Sequence, residues 1–196
     1  MRKVAQSTIP ADAADVARAL FSFLQTDHSW AISAPQMGFD CRMFVMATPK
    51  VPGHDFPSLG APFVPTGIER PMHYTAIVNP IVTDVSVEME TDYESCKSAP
   101  GLVALVPRHK WVEVRFSTPD EKIYTCRLSA HPARIFQHEY DHLEGILFLD
   151  RIFDNCDILM EDELGRQMTT QPQIFRKKLG ETSSLLVDSW IRKYYV

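Results

Sequence analysis

The sequence predicts an α+β fold in which antiparallel strands pack around one central helix. Two observations support this prediction. Short segments of strand type recur along the chain, several with alternating apolar and polar residues, and a strongly patterned helix follows them near residue 137. The chain has 196 residues, of which 45% are hydrophobic, so it can bury the core of one domain, with or without an appendage.

The first part of the chain predicts one helix, one buried strand and a long loop. Residues 10–27 are expected to be helical because Val16, Leu20 and Leu24 repeat every four residues, as on a core-facing helix stripe. Residues 42–47 include a short apolar run, which is typical of a buried strand. Prolines and glycines recur throughout residues 48–74, and this spacing predicts a loop without a helix or a central strand.

The second part predicts further strands and the central helix. Strands are expected at residues 75–82, where Asn79 and Pro80 indicate a bulge or an edge strand, and at 85–91, 111–116 and 123–128. Residues 93–101 are interpreted as an irregular turn. The central helix begins near residue 131 and ends at Gly145. The polar stretch 153–181 is expected to be helical in part, with a terminal helix over 183–195.

Charge and cysteine content exclude several classes of protein. The net charge of −5 argues against a basic nucleic-acid-binding surface, and no apolar run approaches the length of a membrane span. The four cysteines are widely spaced and contain no CxxC pair, which excludes a zinc ribbon. We expect free thiols in a reducing compartment.

The central helix carries an H-E-x-x-H pattern at His138, Glu139 and His142. Histidines four residues apart lie on one face of a helix, where two imidazoles can bind one divalent metal. The glutamate beside the first histidine can reach a water on that metal. The alternative interpretation is a helix with two exposed histidines and a solvated glutamate.

A third metal ligand would decide between these interpretations, and the residues leave two sources for it. Glu161 and Glu163 follow the motif at a spacing that some H-E-x-x-H hydrolases use. Phe148 stands where a longer motif would require a third histidine, which excludes that class. The other source is a thiolate, and Cys96, in the predicted turn upstream, is the candidate, since sulfur and imidazole ligands combine in known sites.

Three segments together resemble the peptide deformylase family. The family motif GxGxAAxQ is matched in part by residues 29–36, EGCLS corresponds to residues 94–98, and QHExDHLxG is matched in full by residues 137–145. Residues after the second motif, including Arg108, also resemble the family. The resemblance covers about residues 2–152. We interpret residues 1–152 as the catalytic domain and residues 153–196 as a C-terminal extension packed on the same domain.

This resemblance implies the chemistry of the site. It implies one divalent metal, expected to be Fe(II), with Zn(II) or another divalent metal as alternatives, and the ligand set Cys96, His138 and His142. The fourth position is left for water or hydroxide. Glu139 would act as general base and then general acid, which fits the physical logic of metal-assisted hydrolysis.

The resemblance also implies an oxyanion site and a substrate surface. The side-chain amide of Gln36 and the backbone N–H of Lys97 would stabilise the oxyanion formed from an N-formyl group. Trp30, Ala31 and Arg108 are candidate substrate-binding residues, although Arg108 is equally consistent with bracing its strand. The expected partner is an N-formylated nascent peptide; no nucleic acid or membrane is expected as a partner, and the sequence leaves the oligomeric state open.

The chain departs from the family motifs on the substrate side. Ser29, Ala31 and Ser95 replace glycines, and Lys97 replaces a leucine with a cation. Two alternatives to the family activity therefore stay open: an altered acyl substrate, or a metal-binding homologue without catalysis. Residues 48–74 resemble eukaryotic organellar members, so we expect a mitochondrial or other organelle matrix location rather than the cytosol; a targeting leader is not apparent in the sequence.

Overall fold

The computed structural model describes residues 3–6, 12–49, 57–63 and 72–170. It confirms the α+β class, with helices and antiparallel sheets. The chain divides into two compact units, the first formed by residues 1–64, 70–89 and 108–147 and the second by residues 65–69, 90–107 and 148–196. The prediction that residues 1–152 form one domain, with 153–196 packed on it, stays a prediction.

The helices and strands lie along the chain in the following order. The helices are α1 (Ala13–Asp27), α2 (Ala130–Leu143) and α3 (Glu161–Thr170). The strands are β1 (Ala31–Ser33), β2 (Met43–Pro49), β3 (Leu59–Phe63), β4 (Met72–Val85), β5 (Met89–Cys96), β6 (Ala99–His109), β7 (Trp111–Ser117), β8 (Ile123–Ser129) and β9 (Ile158–Met160).

The first unit is built on a sheet with strand order β1-β2-β4-β7-β8, to which β3 adds by pairing with β4. The apolar run in β2 is explained by burial on both faces of this sheet. Val45 packs in one core cluster with Leu20 of α1, whereas Phe44 packs in a second cluster with Phe136 of α2. Side chains alternate across a strand, so a strand covered on both sides has no polar face.

The second unit contains a small sheet with strand order β5-β6-β9. Leu102 and Ala104 of β6 pair with Met160 and Ile158 of β9 in antiparallel register. Cys96, at the end of β5, belongs to a buried apolar cluster of this unit. The short segment β9 leads directly into α3, which confirms that the polar stretch after residue 153 is helical in part.

Several predictions about the elements are confirmed. The apolar stripe of α1 is buried, and β7 and β8 cover the strands predicted at residues 111–116 and 123–128. The predicted bulge in β4 is present, since the pairing of β4 with β7 shifts between Val78 and Ile81, and Asn79 has a positive φ of 46°. The predicted start of the first helix at Pro10 and the terminal helix at 183–195 lie outside the described residues.

Three predictions about the strands are wrong. Residues 85–91 are not one half-buried strand, because β4 ends at Val85 and β5 begins at Met89, and Val87 between them is 98% exposed. The hydroxyl of Ser86 donates to the carbonyl oxygen of Glu88 at 2.7 Å, and this local bond spans the bend between the two strands.

The other two errors concern segments rich in proline and glycine. Residues 48–74 are not a continuous loop, because they contain the end of β2, the strand β3 and the start of β4. The register of β3 with β4 is irregular, which is where a strand tolerates proline. Residues 93–101 are not an irregular turn, because β5 and β6 meet there at the short turn of Lys97 and Ser98.

Candidate metal centre and active site

The histidine pair lies on α2, whose apolar side is buried in the first unit. Ala133, Phe136 and Leu143 of this helix are completely buried. His138 and His142 follow each other by one turn, and their ring centroids are 4.9 Å apart. His142 is buried and His138 is half-buried. The helix therefore presents two imidazoles side by side, as the H-E-x-x-H pattern predicts.

Gln137 joins this helix to the end of β6 through the main chain of His109. Its Oε1 accepts a hydrogen bond from the His109 backbone N–H at 3.0 Å, and its Nε2 donates to the His109 carbonyl at 2.9 Å. The same Nε2 lies 3.0 Å from the carbonyl oxygen of Ala133, one turn earlier on the helix. Gln137 thus takes the place of a partner strand for the main chain of His109. These bonds also hold Gln137 itself, the residue that precedes His138, in position. No pattern in the sequence indicates this role for Gln137.

Cys96 ends β5 and is 8% exposed. The backbone N–H of Ser98 points at its sulfur, with an N···S distance of 3.4 Å. Such a donor stabilises negative charge on sulfur, which suits a metal ligand. Cys41 and Cys126 are also free and buried, which confirms the expectation of free thiols for these two cysteines. Burial raises the pKa of the Cys126 thiol to about 11, so it stays protonated and unreactive near neutral pH.

One ligand atom from each of Cys96, His138 and His142 lies within 4.8 Å of the other two. The donor set of one thiolate sulfur and two imidazole nitrogens suits borderline-soft divalent metals such as zinc and ferrous iron. The residues present therefore fit the metal that the sequence pattern implies. Glu163, which the sequence left open as a third ligand, instead forms an ion pair with Arg166 at 2.7 Å on α3.

Glu139 and Asp141 lie on the same helix as the histidines, and both are almost fully buried. Asp141 Oδ2 accepts a hydrogen bond from Arg108 Nη1 at 2.6 Å. Arg108 is itself buried, so this contact matches the alternative in which it braces its strand. Its role in substrate binding stays a prediction.

Gln36 lies in a short 3-10 helix, Ala34–Met37, that follows β1. Its side-chain oxygen accepts hydrogen bonds from the backbone N–H and the hydroxyl of Ser33 at 2.9 and 2.8 Å. A backbone N–H can only donate, so this contact identifies the accepting atom as Oε1 and leaves Nε2 as the donor end of the amide. The orientation suits the donor role predicted for Gln36.

The remaining predicted residues have different surroundings. Ala31 is half-buried at the start of β1, and Trp30 packs edge-to-face on His131 with ring centroids 4.9 Å apart. Lys97 is exposed in the turn between β5 and β6. The roles of these residues stay predictions. The contacts of Ser33, Gln137 and Asp141 near the site could not be predicted, because each is a specific hydrogen bond that no periodic pattern reveals.

Comparison with known proteins gives a consistent result. The family model described as polypeptide deformylase matches residues 1–157. Peptide deformylase 2 of Nostoc sp. is 35% identical over 138 residues, which is 70% of this chain and 70% of that protein. The chloroplastic/mitochondrial peptide deformylase 1B of Arabidopsis thaliana is 33% identical over 171 residues, which is 87% of this chain and 55% of that protein.

Solved structures give the same fold. The Met-Ala-Ser-bound class I type b peptide deformylase from Acinetobacter baumannii is 26% identical with a TM-score of 0.60, covering 78% of this chain and 90% of that chain. A probable peptide deformylase from Synechococcus phage S-SSM7 is 25% identical with a TM-score of 0.63, covering 77% of this chain and 92% of that chain. Both similarities extend over most of the chain.

Proposed function

Because the chain belongs to the polypeptide deformylase family, we propose that it is a metal-dependent hydrolase that removes the N-formyl group from the N-terminal methionine of nascent polypeptides. The observation that carries the proposal is the convergence of the ligand atoms of Cys96, His138 and His142, with Glu139 on the same helix as the histidines. The similar enzyme from Acinetobacter baumannii, which was solved with Met-Ala-Ser bound, supports a peptide substrate that begins with methionine.

Cys96, His138 and His142 would hold the metal, and Fe(II) is the ion that we propose. When bound, a divalent ion supplies Lewis-acid chemistry that makes water more acidic. The set of one thiolate and two imidazoles is also compatible with Zn(II). A thiolate ligand with ferrous iron favours a reduced compartment, in agreement with the free thiols of Cys41 and Cys126.

Glu139 moves the protons of the reaction. One carboxylate oxygen accepts a proton from the hydrolytic water as the water oxygen forms its bond to the formyl carbon. The same oxygen then delivers this proton to the amide nitrogen as the carbon–nitrogen bond breaks. The products are formate and a free N-terminal amine, and the water supplies the second oxygen of formate. Since Glu139 is 4% exposed, it meets little competing solvent in this role.

Gln36 and the backbone N–H of Lys97 would stabilise the negative charge on the formyl oxygen as the water adds. Nε2 of Gln36 is the donor because Ser33 binds the opposite end of the amide. A single donor of this kind typically lowers the barrier by about 3–4 kcal/mol. Trp30, Ala31 and Arg108 remain our candidates for contact with the peptide.

The substrate surface of this chain differs from the family motifs at Ala31 and Lys97. A methyl group at Ala31 narrows the space that glycine would leave for a peptide. The cation of Lys97, which is exposed, would favour substrates that carry negative charge. We therefore expect the chain to accept a narrower set of formyl peptides than a relative with the family motif.

We further propose that the enzyme acts in an organelle with its own formylated translation products, either a mitochondrion or a plastid. Relatives from two plants support this location, since their names describe them as chloroplastic or chloroplastic/mitochondrial. A cyanobacterial relative matches as well, so similarity alone does not select the compartment.

A formate-release assay tests the function. The full chain, purified without oxygen and loaded with Fe(II), is expected to deformylate formyl-Met-Ala-Ser far faster than the same concentration of free iron. The variant Glu139→Gln should retain metal content and lose about 100- to 1,000-fold in kcat, because the proton acceptor is gone. Turnover no faster than free iron, or equal turnover by Glu139→Gln, would refute the proposal.

A further inference from the structure

Ser33 carries a hydroxyl at the corner between β1 and the 3-10 helix that follows it. It is completely buried, and it precedes the 3-10 helix that carries Gln36. The family motif GxGxAAxQ has alanine at this position, so the hydroxyl is a feature of this chain rather than of the motif. A fully buried hydroxyl requires a hydrogen-bond partner, and the partner here is Gln36.

The contacts of Ser33 with Gln36 fix the direction of the amide. Oε1 of Gln36 receives the Ser33 backbone N–H at 2.9 Å. Ser33 Oγ lies 2.8 Å from the same oxygen, and because a carbonyl oxygen can only accept, the hydroxyl must be the donor. Two donors of Ser33 therefore hold one end of the Gln36 amide. Rotation of this amide by half a turn would place Nε2, itself a donor, against both of these donors.

The main chain around these residues is held at both ends. Ser33 has extended backbone angles and pairs with Phe44 in the β1–β2 ladder. At the far end of the 3-10 helix, Gly38 has a φ of 84°, and its backbone N–H donates to the carbonyl of Pro35 at 3.2 Å. The side-chain bonds of Ser33 thus add to a rigid strand-to-helix corner.

We propose that Ser33 is a positioning residue for catalysis, which holds the Gln36 amide so that Nε2 donates to the developing oxyanion. This inference rests on the proposed function, and it assigns to Ser33 a role that the family motif, with alanine there, does not require. The two bonds to Oε1 also polarise the amide and strengthen Nε2–H as a donor. Ser33 touches neither substrate nor metal in this role and acts only through Gln36.

The kinetic test is a double-mutant cycle on the metal-loaded full chain. Ser33→Ala is expected to lower kcat about three- to tenfold at unchanged KM, which corresponds to the loss of one ordinary hydrogen bond. In the Gln36→Ala background, Ser33→Ala should have no further effect on kcat. Ser117→Ala is the matched control, because it removes another strand serine hydroxyl, one that lies 3.2 Å from the carbonyl of Val78. This control should match the parent enzyme.

An NMR measurement on the zinc-loaded chain tests the positioning independently of turnover. The side-chain amide signals of Gln36, assigned by their loss in Gln36→Ala, should form a well-separated and slowly exchanging pair in the parent protein. In Ser33→Ala they should move toward the values of a freely rotating glutamine, while Ser117→Ala leaves them unchanged. Unchanged Gln36 signals in Ser33→Ala would overturn the inference.

The outcomes separate this inference from the proposed function. Absence of turnover in the parent chain refutes the function and with it the catalytic part of the inference, while the NMR comparison still decides whether Ser33 orients the amide. If Ser33→Ala lowers kcat equally in both backgrounds and lowers the melting temperature, Ser33 is merely structural and the inference is wrong. If kcat does not change, the catalytic role is excluded.

Discussion

Arg108 of β6 and Asp141 of α2, the helix that carries His138 and His142, form a buried ion pair. The distance from Nη1 to Oδ2 is 2.6 Å, and each side chain is 5% exposed. A charge at such a site is stable only with its partner, because water is excluded from both groups. Asp141 lies one position before His142. The ion pair therefore also restrains the backbone from which the His142 side chain projects.

Removal of one charge is expected to destabilise the fold more than removal of both. Asp141→Ala leaves a buried guanidinium without its carboxylate and should lower the free energy of unfolding by about 3–5 kcal/mol. The combination of Arg108→Met with Asp141→Leu should recover much of that loss, since no charge remains to be buried. Denaturant unfolding measures both values. Equal stability of Asp141→Ala and the parent would show that this pair is not held as described.

At the scale of elements, Gln137 connects α2 to the last residues of β6. It satisfies the N–H and the carbonyl of His109, at 3.0 and 2.9 Å, as a neighbouring strand would. Polar main-chain groups within a folded unit are costly to leave without partners. The contact therefore holds the helix that carries the histidines against the main chain of His109.

Gln137→Ala is expected to lower the free energy of unfolding by about 1–3 kcal/mol, because two main-chain groups lose their partner at once. It should also weaken zinc binding, measured by competition with a chromophoric chelator, since His138 is the next residue. Gln167→Ala is a suitable control, because it removes a helical glutamine whose amide donates to Glu163 on α3, at 2.6 Å. If the two variants lose the same stability, the contact with His109 has no special weight.

An element can be predicted from the sequence when its own residues determine it, and not when distant residues do. The stripe of α1 and the alternation of β7 and β8 repeat at the period of their own structure, so each can be recognised locally. The strand β6 begins Ala99–Pro100–Gly101, which resembles a turn, and its pairing with β9 comes from residues far along the chain. Likewise β3 exists because β4 pairs with it, which its prolines and glycine do not suggest.

Some residues of the candidate site could likewise be predicted from the sequence, and others could not. His138 and His142 could be identified because their spacing is that of a metal-binding motif, whereas Cys96 was implied by the resemblance to the family. The ligand atoms of all three residues do converge. The contributions of Ser33 and Gln137 could not be identified, because serine and glutamine are common surface residues. Only their hydrogen bonds at 2.8–3.0 Å reveal what they hold.

At the scale of the whole molecule, each unit contains an acidic side chain whose pKa is raised by burial. In the first unit, burial raises the pKa of the Cys126 thiol from 9.0 to about 11. In the second, burial, with Asp157 and then Asp92 as further causes, raises the pKa of the Tyr93 hydroxyl from 10.0 to about 12. Both groups are neutral when protonated, so the folded state keeps its protons at a pH where the unfolded chain has released them.

The folded protein is therefore expected to lose stability as the pH rises above 9. The loss of stability due to Cys126 begins near pH 9.0, the ordinary pKa of the thiol, and is complete near pH 11. This loss amounts to at most about 2.5 kcal/mol. Tyr93 should add a loss between about pH 10 and 12. Unfolding by urea at a series of pH values measures the slope. Cys126→Val should flatten it between pH 9 and 11, and Tyr93→Phe should flatten only the upper part. If Cys126→Val retains the full slope of the parent, the buried thiol does not carry the loss.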